Sequence, residues 1–208
     1  MSGIRTPAHG ESGEGPAEGR ECVESAPQRQ RVALAAALTR RERWETALQK
    51  VTELGVSEVL PFVASRCVVR LDARRSKTRV ERWRRIAMEV AATSQRSEPP
   101  RVHEPVKLRE LAADVRRFDV VLVAWEEAGP EAPGIGEALR AAGAGPTANV
   151  LLIVGPEDGL TSQEVGVLQG AGAVVVTLGD RVLRTETAAI AAVTLAIYEM
   201  GGLGGRAR

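Results

Sequence analysis

Residues 178–188 have the sequence Leu-Gly-Asp-Arg-Val-Leu-Arg-Thr-Glu-Thr-Ala and join a predicted strand, residues 173–178, to the last predicted helix, residues 185–200. This helix is apolar on nearly every side, so we expect it to be buried. Arg184 and Glu186 stand at its beginning, where burying charges without partners is costly. The two residues mark a candidate site. The alternative is structural: Glu186 stabilises the helix N-terminus and Arg184 pairs with a nearby carboxylate.

A second loop, Gly155-Pro156-Glu157-Asp158-Gly159-Leu160, follows the strand predicted at residues 149–154. Its glycines allow the backbone to approach a ligand closely, and the next helix, residues 161–170, offers unpaired amides at its start. Thr161 and Glu164 have the spacing of a capping box, which predicts where this helix begins. Taken alone, the loop is equally consistent with a plain connection between a strand and a helix.

Apolar runs and helical periodicities alternate along the rest of the chain. Predicted strands cover residues 32–38, 56–63 and 119–125, and predicted helices cover residues 41–54, 77–95, 107–115 and 133–142. Alternating strands and helices indicate an α/β fold with a mostly parallel sheet flanked by helices. Ligands of such sheets bind beyond the carboxyl ends of the strands, which is where both loops are expected to lie.

The composition narrows the class of protein. The chain has 208 residues, 44% of them apolar, and a formal net charge of +1. Residues 1–28 are rich in Gly, Pro, Ser, Glu and Ala and are expected to stay disordered, which leaves one domain at residues 29–208. No long apolar run and no secretory signal is found, so we expect a cytoplasmic protein that does not span a membrane. The two cysteines and two histidines predict neither a disulfide framework nor a metal site.

Positive charge is concentrated between residues 66 and 101, where eleven Lys and Arg residues stand against four Asp and Glu residues. Such a patch attracts the phosphates of a nucleic acid even when the net charge of the chain is small. The alternative is a solvated helix face with intrahelical pairs, such as Glu81 with Arg85. The sequence pattern alone leaves both interpretations open.

Several motifs, taken together and in this order, resemble the 16S ribosomal RNA uridine N3-methyltransferases of the SPOUT superfamily. The resemblance covers residues 31–201. Its motifs are Lys50-x-x-Glu53-Leu54-Gly55-Val56 with Pro61, then Ser65-Arg66-Cys67, Arg96 after a Ser-Gln pair, Gly155-Pro156-Glu157-x-Gly159, and the whole of residues 178–188.

The resemblance implies a SPOUT-type knotted fold with a C-terminal trefoil knot, and a homodimer. It implies methylation of N3 of a uridine in the 16S rRNA of the small ribosomal subunit, with S-adenosyl-L-methionine as cofactor. Arg184 would orient the uracil and stabilise its negative charge, Glu186 would position Arg184 or assist proton removal, and Arg96 would contact the RNA near the target base. The implied cofactor residues are Gly155, Glu157, Gly159, Leu178, Gly179, Val182, Leu183 and Ala188.

The chain departs from the family pattern in several places. Members carry an N-terminal RNA-binding domain of the PUA type, which is expected to be absent ahead of the first predicted strand. Asp158 stands where glycine is common, Leu160 where an aromatic or other apolar residue is usual, and Thr93 where glutamine is usual. Three hypotheses follow: an rRNA uridine N3-methyltransferase, a SPOUT enzyme redirected to another substrate, and a knotted dimeric RNA-binding protein with little or no catalysis.

Overall fold

Strands and helices alternate along the part of the chain that the computed structural model describes, residues 31–69 and 73–203. The extension predicted at residues 1–28 lies outside these ranges. The elements are β1 (Arg31–Ala37), α1 (Arg41–Leu54), β2 (Glu58–Val63), α2 (Ala73–Thr93), β3 (Arg101–Val102), β4 (Val106–Lys107), α3 (Leu108–Asp114), a 3₁₀ turn (Val115–Arg117), β5 (Val120–Ala124), α4 (Ile135–Ala141), β6 (Asn149–Val154), α5 (Ser162–Gly170), β7 (Val174–Val176) and α6 (Thr185–Glu199).

The seven strands form one sheet in the order β3-β2-β1-β6-β5-β7, and β4 pairs with β2 further along the same edge as β3. Every strand pair is parallel. The predicted α/β fold with a mostly parallel sheet flanked by helices is therefore confirmed. Because the strands run in one direction, all their carboxyl ends lie at the same edge of the sheet.

Helices cover both faces of this sheet, and each face has its own apolar core. On one face, α1, α2, α4 and α6 bury large side chains that include Trp44, Trp83 and Leu139. On the other face, α3 and α5 bury Leu111 and Leu168. The prediction that the last helix is buried is confirmed, since α6 packs against α1, α4, β1 and β6.

Two helix ends show why these boundaries fall where they do. Gly55 ends α1 in the left-handed conformation, with φ of 109°, and its N–H donates to the carbonyls of Val51 and Thr52. At the start of α5, the predicted capping box is present, because the Thr161 side chain accepts from the Glu164 N–H while the Glu164 carboxylate accepts from the Thr161 N–H. Both features are strong local signals in the sequence.

The structure also differs from the predicted elements in two places. Helix α2 begins at Ala73 rather than at residue 77, because its first residues carry no apolar periodicity that would reveal a helix. Strands β3 and β4 are not predicted at all. Each has only two residues, and two residues are too few to show an alternating pattern.

Candidate active site

A cleft opens at the carboxyl ends of β5, β6 and β7, and we call it the strand-end cleft. The two loops singled out in the sequence meet here, together with the loop after β5 and the start of α6. The lining residues are Ala124, Trp125, Glu126, Val154, Gly155, Pro156, Thr177, Leu178, Gly179, Arg181, Leu183, Thr185 and Ala188.

Five of the eight predicted cofactor residues line the strand-end cleft: Gly155, Leu178, Gly179, Leu183 and Ala188. Gly155 is required by packing, since an added Cβ would lie 2.9 Å from Leu160 Cγ. Gly179 is different, because its φ is +100° and an added Cβ would meet nothing within 4 Å. Its backbone therefore faces open space, as a cradle for a ligand requires.

The other three predicted cofactor residues do not line the strand-end cleft. Val182 is 86% exposed. Glu157 accepts a hydrogen bond through Oε1 from Arg43 Nη1, at 2.6 Å, and so joins its loop to the first turn of α1. Gly159, with φ of +71°, lies against the carboxylate of Glu126. In this chain Glu157 and Gly159 therefore shape the loop after β6 rather than line the cleft.

Trp125 and Glu126 line the strand-end cleft without having been singled out in the sequence. The indole Nε1 of Trp125 donates to the Leu160 carbonyl at 3.1 Å and ties the loop after β5 to the loop after β6. Glu126 contributes a carboxylate. Their position directly after an apolar strand, at the carboxyl end of the sheet, is the signal that could have identified them.

The loop after β6 is held from outside by the Ser65-Arg66 segment. Arg66 Nη1 donates to the Asp158 carbonyl at 2.8 Å, and the Ser65 N–H donates to Glu164 Oε1 at 2.7 Å. Burial raises the pKa of Glu164, but hydrogen bonds from Ser65 and Thr161 outweigh burial and lower that pKa overall. Glu164 therefore remains an anionic acceptor that fixes this loop.

Neither departure from the family pattern in this loop fills the strand-end cleft. Asp158 is exposed and is not a lining residue of the cleft, and its backbone carbonyl accepts the hydrogen bond from Arg66. Leu160 is fully buried in the core beneath the loop, where any apolar residue of suitable size would pack. These two substitutions leave the space of the cleft unchanged.

Arg184 and Glu186 flank the strand-end cleft at the start of α6, since Leu183, Thr185 and Ala188 line it. Arg184 is exposed, and its guanidinium makes no hydrogen bond or ion pair with any residue that the structure describes. The suggested structural pairing of Arg184 with a carboxylate is therefore wrong for these residues. Glu186 is partly buried, and its Oε2 has no hydrogen-bond partner. A buried carboxylate oxygen without a partner is costly, and such groups are typical of binding and catalytic sites.

Arg96 lies elsewhere. Its Nη1 donates to the Thr52 carbonyl at 2.7 Å, and its Nη2 donates to the Val56 carbonyl at 2.8 Å. These carbonyls lie at the amino ends of the strands, at the edge opposite the strand-end cleft. Within one chain, Arg96 clamps the end of α1, and its predicted contact with the RNA near the target base stays a prediction. Thr93 is also remote from the cleft, and its hydroxyl donates to the Val90 carbonyl within α2.

Other site chemistries have no support in the described residues. Burial raises the pKa of the Cys67 thiol and outweighs the opposing hydrogen bond that the Ala64 N–H donates to Cys67 Sγ at 3.2 Å, so the reactive thiolate is disfavoured. The described residues contain no group of three or more metal-ligating side chains. None of the described helices combines the length and apolarity that a membrane span requires.

The chain is similar in sequence to a known domain family and to several known proteins. Residues 26–197 match the family model of the RNA methyltransferase domain. The chain is 36% identical over 169 residues to ribosomal RNA small subunit methyltransferase E of Bacillus subtilis, covering 81% of this chain and 66% of the relative. It is 37% identical over 170 residues to the protein of the same name from Mycobacterium bovis, covering 80% and 62%. The chain thus spans slightly less than two thirds of the length of these curated relatives.

A solved structure shows the same fold. The crystal structure of ribosomal RNA small subunit methyltransferase E from Neisseria gonorrhoeae, bound to S-adenosyl methionine, matches with a TM-score of 0.70 and 29% identity. The match covers 81% of this chain and 66% of that chain.

Proposed function

This chain belongs to the RNA methyltransferase domain family, and on that premise we propose that it methylates N3 of a uridine in the 16S rRNA of the small ribosomal subunit. The methyl donor in this proposal is S-adenosyl-L-methionine. The observation that carries the proposal is the meeting of two glycine loops with the Arg184–Glu186 segment at one cleft. The names of the relatives, which are small-subunit rRNA methyltransferases, support the choice of substrate.

The residues of the strand-end cleft fit this cofactor. Leu178, Leu183 and Ala188 offer apolar surface to an adenosine, and the open space at Gly179 leaves backbone groups accessible. Glu126 places a carboxylate in the same cleft, which suits the positive charge and the hydroxyl groups of such a ligand. When bound, the cofactor supplies a methyl group on a positively charged sulfur.

The remaining chemistry concerns the uracil ring. Uridine N3 carries a proton, so its removal or charge stabilisation must accompany attack. Arg184 has an unpaired guanidinium whose fork of N–H groups can bind uracil carbonyl oxygens and stabilise the negative charge that develops on them. Glu186 has a carboxylate oxygen without a partner, and in this proposal it accepts the N3 proton. Within one chain Arg96 lies at the opposite edge of the sheet, so this proposal gives it no step in the reaction, and the RNA contact implied by the resemblance stays a prediction.

The proposal includes the trefoil knot, formed by the loop after β7 and α6, and a homodimer that works in the cytoplasm. Support for a second copy comes from apolar side chains left uncovered near the strand-end cleft and along α6. Val182 is 86% exposed, Tyr198 62% and Leu195 45%. Isolated exposed apolar residues are common, but three of them on α6 and the loop that precedes it are suited to an interface with a second copy.

The experiment that tests the proposal has two parts. Calorimetric titration of the purified protein with S-adenosyl-L-methionine should give about one site per chain with a micromolar Kd, in the usual range for enzyme ligands. Unmodified small ribosomal subunits should then gain 3-methyluridine, detected by mass spectrometry of nuclease digests. Cofactor binding without any methyl transfer to these subunits would contradict the rRNA substrate, and absence of cofactor binding by the folded protein would contradict the enzyme.

A further inference from the structure

A second pocket lies at the same edge of the sheet as the strand-end cleft, and we call it the two-tryptophan pocket. It opens where β1 ends, at Leu38 and Thr39, between the first turns of α1 and the middle of α2. Trp44 and Trp83 form its apolar wall, with ring centroids 5.0 Å apart and ring planes inclined by 48°. Nothing in the proposed reaction uses this pocket.

The rim of the two-tryptophan pocket is positively charged. Four arginines line it, Arg41, Arg79, Arg82 and Arg85, against two glutamates, Glu45 and Glu81, which leaves an excess of two positive charges. The intrahelical pair expected between Glu81 and Arg85 is not formed in the described structure, where the ion pairs of this region join Glu45 to Arg41 and to Arg82.

Glu45 holds two of these arginines in place. Its carboxylate accepts from Arg82 Nε at 2.6 Å, from Arg82 Nη2 at 2.8 Å, and from Arg41 Nε at 3.0 Å. The hydrogen bonds from Arg82 hold the pKa of Glu45 below its ordinary value, although burial opposes them. The side chains of Arg79 and Arg85 are exposed and have no hydrogen bond or ion pair to any described residue. Their charges are therefore available to an external anion.

A buried donor in the wall also lacks a partner. Trp44 is only 3% exposed, and its indole Nε1 makes no hydrogen bond. Buried indole N–H groups usually have an acceptor, because a donor that is buried without one costs free energy. The N–H is covered in this structure, so an anionic oxygen in the pocket would become its partner once the side chains over it move aside. This observation is independent of the arginine charges and indicates the same class of ligand.

The two-tryptophan pocket is close to the site of the proposed reaction. Strands β1 and β6 are neighbours, and Ala36 lies opposite Val154, so Leu38 and Gly155 leave the sheet side by side. The first turn of α1 separates the two sites. It contributes Arg41 and Trp44 to the two-tryptophan pocket, and Arg43 on the same turn pairs with Glu157 of the cofactor loop.

We propose that the two-tryptophan pocket binds a backbone phosphate of the RNA strand that flanks the methylated nucleotide, with Arg79 and Arg85 supplying the charge and Trp44 Nε1 a hydrogen bond. Arginine suits this ligand, because its planar fork matches the geometry of phosphate oxygens. The contact would position the strand without reading its sequence. The inference rests on the proposed function in one respect, that the bound strand is the one to be methylated.

The test compares two double variants in binding to unmodified 16S rRNA transcribed in vitro, across a series of salt concentrations. In Arg79→Gln/Arg85→Gln, we expect RNA affinity to fall about tenfold and the slope of log affinity against log salt to become shallower by about 1 to 2. The matched control is Arg109→Gln/Arg116→Gln, which removes the same charge from exposed positions on α3 and the following turn. The control should leave both quantities nearly unchanged.

A third variant, Trp44→Phe, keeps an aromatic ring and removes only the indole donor. We expect a fall in RNA affinity of a few fold with an unaltered salt slope, because no charge is lost. Thermal unfolding of each variant establishes that it is folded. Equal losses in the two arginine double variants would overturn the proposal, because they would show general electrostatic attraction without a local site. Undiminished binding by Arg79→Gln/Arg85→Gln would overturn it as well.

These outcomes are separable from failure of the proposed function. RNA binding is measured without methyl transfer, and titration with S-adenosyl-L-methionine should give the same Kd for the parent and for Arg79→Gln/Arg85→Gln. A parent protein that binds RNA through these arginines but transfers no methyl group would contradict the methyltransferase and leave the phosphate pocket standing. A parent protein that transfers methyl groups, but whose RNA affinity is the same with and without these arginines, would support the methyltransferase and contradict the phosphate pocket.

Discussion

The carboxylate of Glu126 lies against the α-carbon of Gly159, so close that a Cβ on residue 159 would overlap Glu126 Oε1 at 1.4 Å. Two constraints therefore meet at this glycine, its φ of +71° and the neighbouring carboxylate. The side chain of Glu126 is flexible and can move aside, but this movement shifts its carboxylate from its position in the strand-end cleft. This pair links the loop after β5 to the loop after β6.

Replacing Gly159 by alanine tests that link. We expect Gly159→Ala to lower the free energy of unfolding by about 1–2 kcal/mol, because a Cβ is strained in the left-handed region. Displacement of Glu126 should also weaken binding of S-adenosyl-L-methionine, measured by calorimetry. Gly166→Ala, in the middle of α5 where an added Cβ meets nothing, is the control and should be neutral or stabilising by about 0.5–1 kcal/mol. Equal stability of the two variants would contradict the argument.

Arg184→Gln separates binding of the base from binding of the cofactor. We expect kcat to fall about 10²–10³-fold, the usual cost of removing one group that stabilises developing charge. The Kd for S-adenosyl-L-methionine should not change, because Arg184 does not line the strand-end cleft. Arg181→Gln is the contrasting variant, since Arg181 does line it and should mainly alter that Kd. A weakened cofactor Kd in Arg184→Gln with kcat intact would reverse the assignment.

Glu186→Gln tests the proton acceptor. The glutamine keeps the shape of the side chain but cannot accept the N3 proton, so kcat should fall about 10²–10⁴-fold. Stability should not fall, because Glu186 Oε2 has no hydrogen bond to lose. An unchanged kcat in Glu186→Gln would contradict the role as proton acceptor.

Arg96→Gln should behave as a structural variant. It removes the Arg96 donors to the Thr52 and Val56 carbonyls, of which Thr52 keeps the Gly55 N–H, and this should lower the free energy of unfolding by about 1–3 kcal/mol, measured by denaturant titration. The kcat and KM of the folded protein should stay those of the parent. Arg109→Gln, at an exposed position, controls for the loss of charge. A large loss of kcat at unchanged stability would restore the RNA contact that the sequence resemblance implied.

The free energy of unfolding should decrease in acid partly because of Glu58. Burial raises the pKa of Glu58, but its hydrogen bonds with Arg117 and His103 outweigh burial, so the folded pKa lies below the ordinary 4.5. The unfolded chain then takes up a proton at a higher pH than the folded chain. The contribution of Glu58 to the free energy of unfolding is complete above a pH of about 4.5 and is lost as the pH falls through the folded pKa. Glu58→Gln should make the decrease shallower, whereas Glu104→Gln, at an exposed position, should not.

Much of the fold is predictable from the sequence because its strands are covered on both faces. Helix α1 and strand β6 occupy the residues that the pattern predicts. The start of α2 and the strands β3 and β4 were missed because charged residues and two-residue strands carry no periodic signal.

The candidate site was predicted less completely. Gly155, Gly179 and Leu183 were implied by the family resemblance, and the glycine loop after the strand at residues 149–154 was also recognisable from its own residues. Trp125 and Glu126 were missed, although they directly follow an apolar strand, because every strand of a parallel sheet is followed by such a turn and only some of these turns line the cleft. The place of Arg96 depends on how α1 and β2 pack at the far edge of the sheet, which a motif cannot convey.

The sheet described above ends in very short strands on both sides, two residues in β3 and in β4, and three in β7. An outer strand presents unpaired N–H and C=O groups, and long outer strands recruit strands of other molecules and seed aggregates. Edges this short offer too few groups for stable pairing with a foreign strand. The protein can therefore keep an extended parallel sheet in a crowded cell with little tendency to polymerise edge to edge.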